Sequence, residues 1–119
     1  MTLQTTVRLI QADTAVVSFA GNLTMGMGLK VADAQIQNLI EKDVCRMVFD
    51  LTEVAYIDSA GLGTLVHAHG LAQQKNGMLR LCHVTDRVAG LLKLTGMDAV
   101  LPVDADATAS LAAIGSAVT

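Results

Sequence analysis

The sequence predicts one α/β domain over residues 1–119, with a mixed, mostly parallel sheet of about four or five strands and about four helices packed on it. Three observations carry that expectation. A length of 119 residues fits a single domain. The hydrophobic period switches repeatedly between two and three-to-four residues. An opening hairpin is followed by alternating strand-like and helix-like runs, the order that builds a parallel sheet behind an antiparallel edge. The core must be aliphatic, because apolar residues make up 52 % of the chain and aromatic residues only 3 %, with no Trp.

Leu3, Thr5, Val7 and Leu9 alternate with polar neighbours, as one side of a half-buried strand does. The turn-like Gln11-Ala12-Asp13 then leads into "TAVVSFAG", its hairpin partner, which ends at Gly21. Leu29, Ala32, Ile36, Leu39 and Ile40 recur at helical spacing and mark one face of a first helix. "CRMVFDL", Cys45 to Leu51, is a short apolar run suited to a strand covered on both faces. Leu62, Leu65, Val66, His69 and Ala72 outline a second helical face, stopped at Asn76-Gly77. "MLRLCHV" is the next strand. Thr85 or Asp86 caps "RVAGLLKLT", whose Val88, Leu91, Leu92 and Thr95 share a face and which Gly96 ends. "AVLPV" reads as a brief strand, and "DADATASLAAIGSAV" as a last helix with an acidic first turn that suits the helix dipole.

Composition narrows the function classes. The formal net charge of −3, with Lys and Arg scattered, argues against nucleic acid as a ligand, since phosphate binding needs a basic stripe. Charged residues are 16 % of the chain, against roughly 25 % in an ordinary globular protein, which points to apolar surface covered by a partner. "MTLQTTVRLI" lacks the layout of a signal peptide, and no run of about 18 apolar residues is available to insert in a membrane. Cys45 and Cys82 lie far apart in apolar contexts and read as buried thiols, so the expected compartment is the cytoplasm.

"AYIDSAGLG", Ala55 to Gly63, sits where a strand-like run turns into a helix. Asp58 and Ser59 fall just before the apolar face of that helix, where both side chains can accept from unpaired backbone N–H groups. One reading is a cap and nothing more. The other is a phosphate seat, because a helix N-terminus offers free donors and a partial positive charge. A phosphoserine adds roughly −1.5 to −2 charges at pH 7 and would oppose a partner contact made against Ser59. Ala60, Gly61 and Gly63 keep the surroundings small enough for another backbone to approach the hydroxyl.

"VFDLTEVAYIDSAGLGTL" resembles the central motif of STAS domains, specifically of bacterial anti-sigma factor antagonists. The similarity continues through "NGMLRLCHVTDRVAGLLKLTGMDAVLPV" and covers roughly Leu3 to Ile114. The resemblance implies a STAS-like domain that works by partner switching. Unphosphorylated, such a protein binds an anti-sigma factor that doubles as a serine kinase and frees the sigma factor. Phosphorylation turns it off, and a PP2C-type phosphatase restores it. By motif matching Ser59 is the phosphoacceptor and Asp58 the flanking acid. The partner surface takes in Asn22, Thr24, Met25, Met27, Asp58, Ser59, Ala60, Gly61, Gly63 and Thr64, and the free protein is expected to be a monomer. One departure is visible. Where family members carry a Gly-Glu-apolar-Asp loop, this chain has Gly21-Asn22-Leu23-Thr24, which replaces both acids by neutral hydrogen-bonding side chains. Met25 and Met27 follow, interleaved with Gly26 and Gly28; they either fill the gap between sheet and helix or form an adaptable docking surface.

No motif for turnover stands out. Gly26-x-Gly28 lacks the third glycine of a dinucleotide fingerprint, since Val31 stands there, and no Gly-Lys-Ser/Thr is present. "IDSAG" lacks the first glycine of a nucleophile elbow. His67 and His69 are spaced i, i+2 and face different ways, unlike a zinc pair at i, i+4. His83 follows Cys82 on a strand, where alternation sends the two side chains to opposite faces. No enzyme activity, cofactor or metal is therefore expected. The leading function is a phospho-switched binding module of the anti-sigma antagonist kind. The alternative is a non-phosphorylated STAS subunit of a larger assembly, such as a lipid-transport ATPase complex.

Overall fold

The hairpin expected at the start forms first: β1 (Gln4–Gln11) pairs antiparallel with β2 (Thr14–Leu23), Val7 lying opposite Val17. The computed structural model describes residues 2–116. Helix α1 (Met27–Glu41) follows, then β3 (Arg46–Ile57), α2 (Ser59–Gln74), β4 (Met78–Cys82), α3 (Asp86–Thr95), a single 3-10 turn at Met97–Ala99, β5 (Val103–Asp104) and α4 (Ala107–Ser116). The five-stranded sheet runs in chain order, β1-β2-β3-β4-β5. Every pairing after the hairpin is parallel, as Val17 with Phe49, Phe49 with Leu81 and Leu81 with Val103 show. The expected class, a mixed and mostly parallel sheet with four helices, is the one found.

Strand alternation divides the sheet into two faces. Val17, Phe19, Met47, Phe49, Leu79 and Leu81 point into the larger core, where α1, α2 and α3 cover them. Phe19 and Phe49 meet there edge to face with centroids 5.2 Å apart. Val16, Val48 and Cys82 point the other way, onto Ile114 of α4. The α4 side is held by a polar clamp as well. Arg80 on β4 grips Asp104 with two hydrogen bonds of 2.6 and 3.0 Å, and the buried Ser110 hydroxyl donates to Asp104 at 2.7 Å. The guanidinium beside Asp104 holds that carboxyl below the usual carboxylate range.

Helix ends follow local chemistry. The Thr85 hydroxyl caps α3 by accepting from the Val88 N–H, and Gly96 closes the helix in the left-handed region at φ 75°. Asn76 takes the left-handed conformation after α2, and Gly77 returns its N–H to the Ala72 carbonyl at 2.8 Å. A Cβ on Gly77 would stand 2.1 Å from the Cys45 carbonyl oxygen, so glycine is required where α2 turns back beside β3.

Several expectations are corrected. Leu9 is not buried: it keeps the side of Val7, opposite Ala15, but stands exposed near the end of the edge strand, and the register slips only beyond it. β3 does not stop at Leu51 but runs on to Ile57, pairing with a β2 that reaches Leu23. Exposed Thr52 and Glu53 interrupt the apolar run without ending the strand. The buried face of α2 consists of Gly61, Thr64, Leu65, Ala68 and Ala72, and it leaves Leu62, Val66 and His69 at its margin. Of "AVLPV" only Val103 enters a strand, since the residues up to Ala99 wind into the 3-10 turn. Asp104 and Asp106 precede α4 instead of occupying its first turn; Asp106 accepts from the Ala109 N–H at 2.8 Å, as a cap does. Residues 117 and 118, expected in that helix, lie outside the described residues.

Candidate functional site

β2 and β3 run side by side to Leu23 and Ile57, so the loop after β2 and the start of α2 emerge together. Asp58 then joins them. Its backbone is extended, and its side chain accepts from the Gly61 N–H through Oδ1 at 2.9 Å, which is the N-cap bond of α2. Oδ2 accepts from the Met25 N–H at 3.0 Å, and the Asp58 N–H donates to the Leu23 carbonyl at 3.2 Å. The Met25 and Gly61 N–H groups hold this carboxyl below its ordinary range, so it is ionised near neutral pH.

That arrangement separates the two roles open at Asp58-Ser59. The cap belongs to Asp58. Ser59, the first residue of α2, is exposed, and among the described residues its hydroxyl makes no hydrogen bond. It stands at the helix end that favours added negative charge. Both Asp58 oxygens accept backbone N–H groups, so Asp58 ties the loop after β2 to the start of α2 beside the serine.

The neighbouring residues sort by exposure. Met25 and Met27 are 80 % and 72 % exposed, so these thioethers do not fill the gap between sheet and helix but stand in solvent beside the Asp58 contact. Asn22 and Thr24 are half-buried and, with Met25 to Gly28, line a hollow of about 390 Å³. Ala60 and Gly63 line a second groove of about 540 Å³ between α1 and α2, and open space surrounds Gly63.

Two residues expected on the partner surface are buried. Gly61 is buried, and a Cβ there would lie 1.9 Å from the Leu23 carbonyl oxygen; the glycine lets α2 press against the end of β2. Thr64 is buried on the inner face of α2 and reaches only the floor of the groove.

The sequence also gave no notice of a third surface. Tyr56, just before Asp58, carries the Arg87 guanidinium 5.8 Å over its ring. Together with Ile57, Leu91 and the exposed Leu94 they line an apolar hollow of about 360 Å³. The signal that could have found it was the tyrosine itself, an aromatic at a strand position facing away from the core.

Known proteins resemble this chain in sequence and in fold. The family model described as STAS domain matches residues 7–109. The anti-sigma-B factor antagonist of Listeria monocytogenes is 34 % identical over 85 residues, which cover 71 % of this chain and 73 % of that protein. The anti-sigma factor antagonist SpoIIAA in its unphosphorylated form has the same fold, with a TM-score of 0.77 at 16 % identity, over 89 % of this chain and 92 % of that one. The Bacillus cell fate determinant SpoIIAA in its phosphorylated form gives a TM-score of 0.73 at 15 % identity, over 89 % and 96 %.

Proposed function

The chain belongs to the STAS domain family, and we propose that it is a cytoplasmic anti-sigma factor antagonist switched by phosphate on Ser59. Unphosphorylated, it binds an anti-sigma factor that is also a serine kinase and so releases the sigma factor. Phosphorylated, it lets go, and a PP2C-type phosphatase resets it. The observation that carries this reading is the Ser59 hydroxyl, exposed and without a hydrogen bond among the described residues while the adjacent aspartate does the capping. A modification there costs the fold no cap.

In the transfer step the Ser59 oxygen bonds to the γ-phosphorus of ATP as the bond to ADP breaks. The serine proton leaves to a base supplied by the kinase. The phosphate brings roughly −1.5 to −2 charges next to the ionised Asp58. The fold tolerates them at a helix N-terminus, whereas a partner packed against Ser59 and its small neighbours would have to desolvate them. Asn22 and Thr24, which replace the family's acids, leave the unmodified surface less negative and hydrogen-bonding. They are also what favours the second reading, a non-phosphorylated STAS subunit of an assembly such as a lipid-transport ATPase complex.

Intact-mass analysis decides between the two. After incubation of the whole chain with its cognate anti-sigma factor and ATP, the expected result is one added phosphate. It should map to Ser59, be absent in Ser59→Ala and be removed by a PP2C-type phosphatase. No transfer, or transfer to another residue, overturns the switch.

A further inference from the structure

Away from Ser59, a cysteine, a histidine and a carboxylate converge. Asp50 of β3 and Cys82 of β4 are register partners on adjacent parallel strands. His83 follows Cys82, and strand alternation would send its ring to the opposite face. It does not. His83 adopts φ 54°, in the left-handed region that residues bearing a side chain seldom occupy. The alternation ends there, and the imidazole returns to the side of its neighbour. One potential ligand atom from each of Asp50, Cys82 and His83 lies within 4.8 Å of the other two.

The three groups are uncommitted to one another and graded in depth. Cys82 is fully buried, Asp50 half-buried and His83 exposed, so the thiol forms the floor and the imidazole the mouth. Among the described residues neither the Cys82 sulfur nor the His83 ring has a hydrogen-bond partner. Asp50 turns only Oδ1 to the Thr52 backbone and hydroxyl, which leaves Oδ2 open. Burial first, and then the carboxylates of Asp50, Asp104 and Asp106, push the Cys82 thiol up to about 11, so it stays protonated until a metal displaces the proton.

We propose that Asp50, Cys82 and His83 form a binding site for one divalent transition ion of the zinc class, with a fourth position left to water or an outside donor. Thiolate and imidazole donors select such an ion over magnesium or calcium, which take oxygen ligands. Metal–ligand bonds of about 2.0–2.3 Å in a tetrahedral site put donor atoms roughly 3.4–3.6 Å apart. The cluster must therefore close by about 1 Å, which rotation of the exposed imidazole can supply. On binding, the Cys82 S–H bond breaks, sulfur keeps the electron pair and donates it to the metal, and the proton leaves to solvent. The bound ion ties β3 and β4 to the connection that enters α3, two residues before the Thr85 cap.

The test uses the whole chain, stripped with a chelator and titrated with Co²⁺ and then Zn²⁺. The expected result is one equivalent of Co²⁺ with thiolate-to-cobalt charge-transfer absorption, which Zn²⁺ displaces. Cys82→Ser should abolish that absorption and Cys45→Ser should leave it intact. His83→Gly suits a φ of 54° and keeps the fold, so its expected loss of more than about tenfold in affinity cannot be blamed on unfolding. No thiolate band, a band lost with Cys45→Ser, or full affinity in His83→Gly would overturn the site.

Discussion

Replacing Gly61 by alanine puts a methyl group where the structure has no room. The new Cβ would lie 1.9 Å from the Leu23 carbonyl oxygen, 2.7 Å from its carbon and 3.0 Å from Ile57 Cγ1. An ordinary carbon–oxygen contact is about 3.3 Å or more, so the start of α2 must back away from the end of β2 by roughly 1.4 Å. That displacement stretches the Asp58 N–H to Leu23 bond, now 3.2 Å, and the Met25 N–H to Asp58 bond, now 3.0 Å, beyond useful range. The first loss costs about 1 kcal/mol and the second, to a charged acceptor, about 2 kcal/mol. Residual strain adds about 1–3 kcal/mol, and alanine's better helix propensity returns about 1 kcal/mol. A net destabilisation of about 3–5 kcal/mol follows, measured as a lower urea midpoint. Gly63→Ala is the internal control. It lies two residues on in the same helix with nothing within 4 Å of its Cβ, and it should gain up to about 1 kcal/mol. Gly61→Ala within about 0.5 kcal/mol of the parent would refute the close approach on which the site's geometry rests.

Asp58→Asn should flatten the acid limb of the stability curve. The folded-state pKa of Asp58 is depressed, so its contribution is present above the ordinary carboxyl pKa of about 3.9 and is lost as pH falls through the lower folded value. Urea melts of both proteins across that range check the sign, and parallel curves would count against the Asp58 bonds. Asp104→Ala leaves Arg80 and the buried Ser110 without their acceptor; a loss of about 2–3 kcal/mol is expected by chemical denaturation. Met25→Ser combined with Met27→Ser removes two exposed thioethers. Stability should stay within about 0.5 kcal/mol while affinity for the cognate anti-sigma factor falls, and unchanged affinity would exclude them from the contact.

Residues whose environment is set by local pattern were legible in the sequence. All five apolar positions that marked α1 are its buried ones, because a single helix face against a sheet obeys one period. A cap at Thr85 or Asp86, which the structure gives to Thr85, the Gly96 stop and the parallel order after the hairpin were legible for the same reason. What escaped depends on contacts distant in the chain. The far end of β3 exists because β2 is there to pair with Asn22 opposite Tyr56, and nothing in Thr52-Glu53 announces that. Gly61 looked like open space for a partner but answers to Leu23, thirty-eight residues earlier. The amide of Met25 that locks Asp58 is likewise invisible in a side-chain pattern. At His83 a rule of alternation failed because one residue changed its backbone region. Ser59 was legible as a candidate, but only the geometry assigns the cap to its neighbour.

The central claim is that negative charge on Ser59 decides whether the partner binds. Calorimetric titration of the cognate anti-sigma factor with the unmodified protein, Ser59→Ala and Ser59→Glu tests it most directly. Equal affinity for the first two and a loss of more than about tenfold for Ser59→Glu are expected, since a carboxylate carries part of the phosphate's charge. If Ser59→Glu binds as tightly as the unmodified protein, the hydroxyl of Ser59 is not where the contact is controlled.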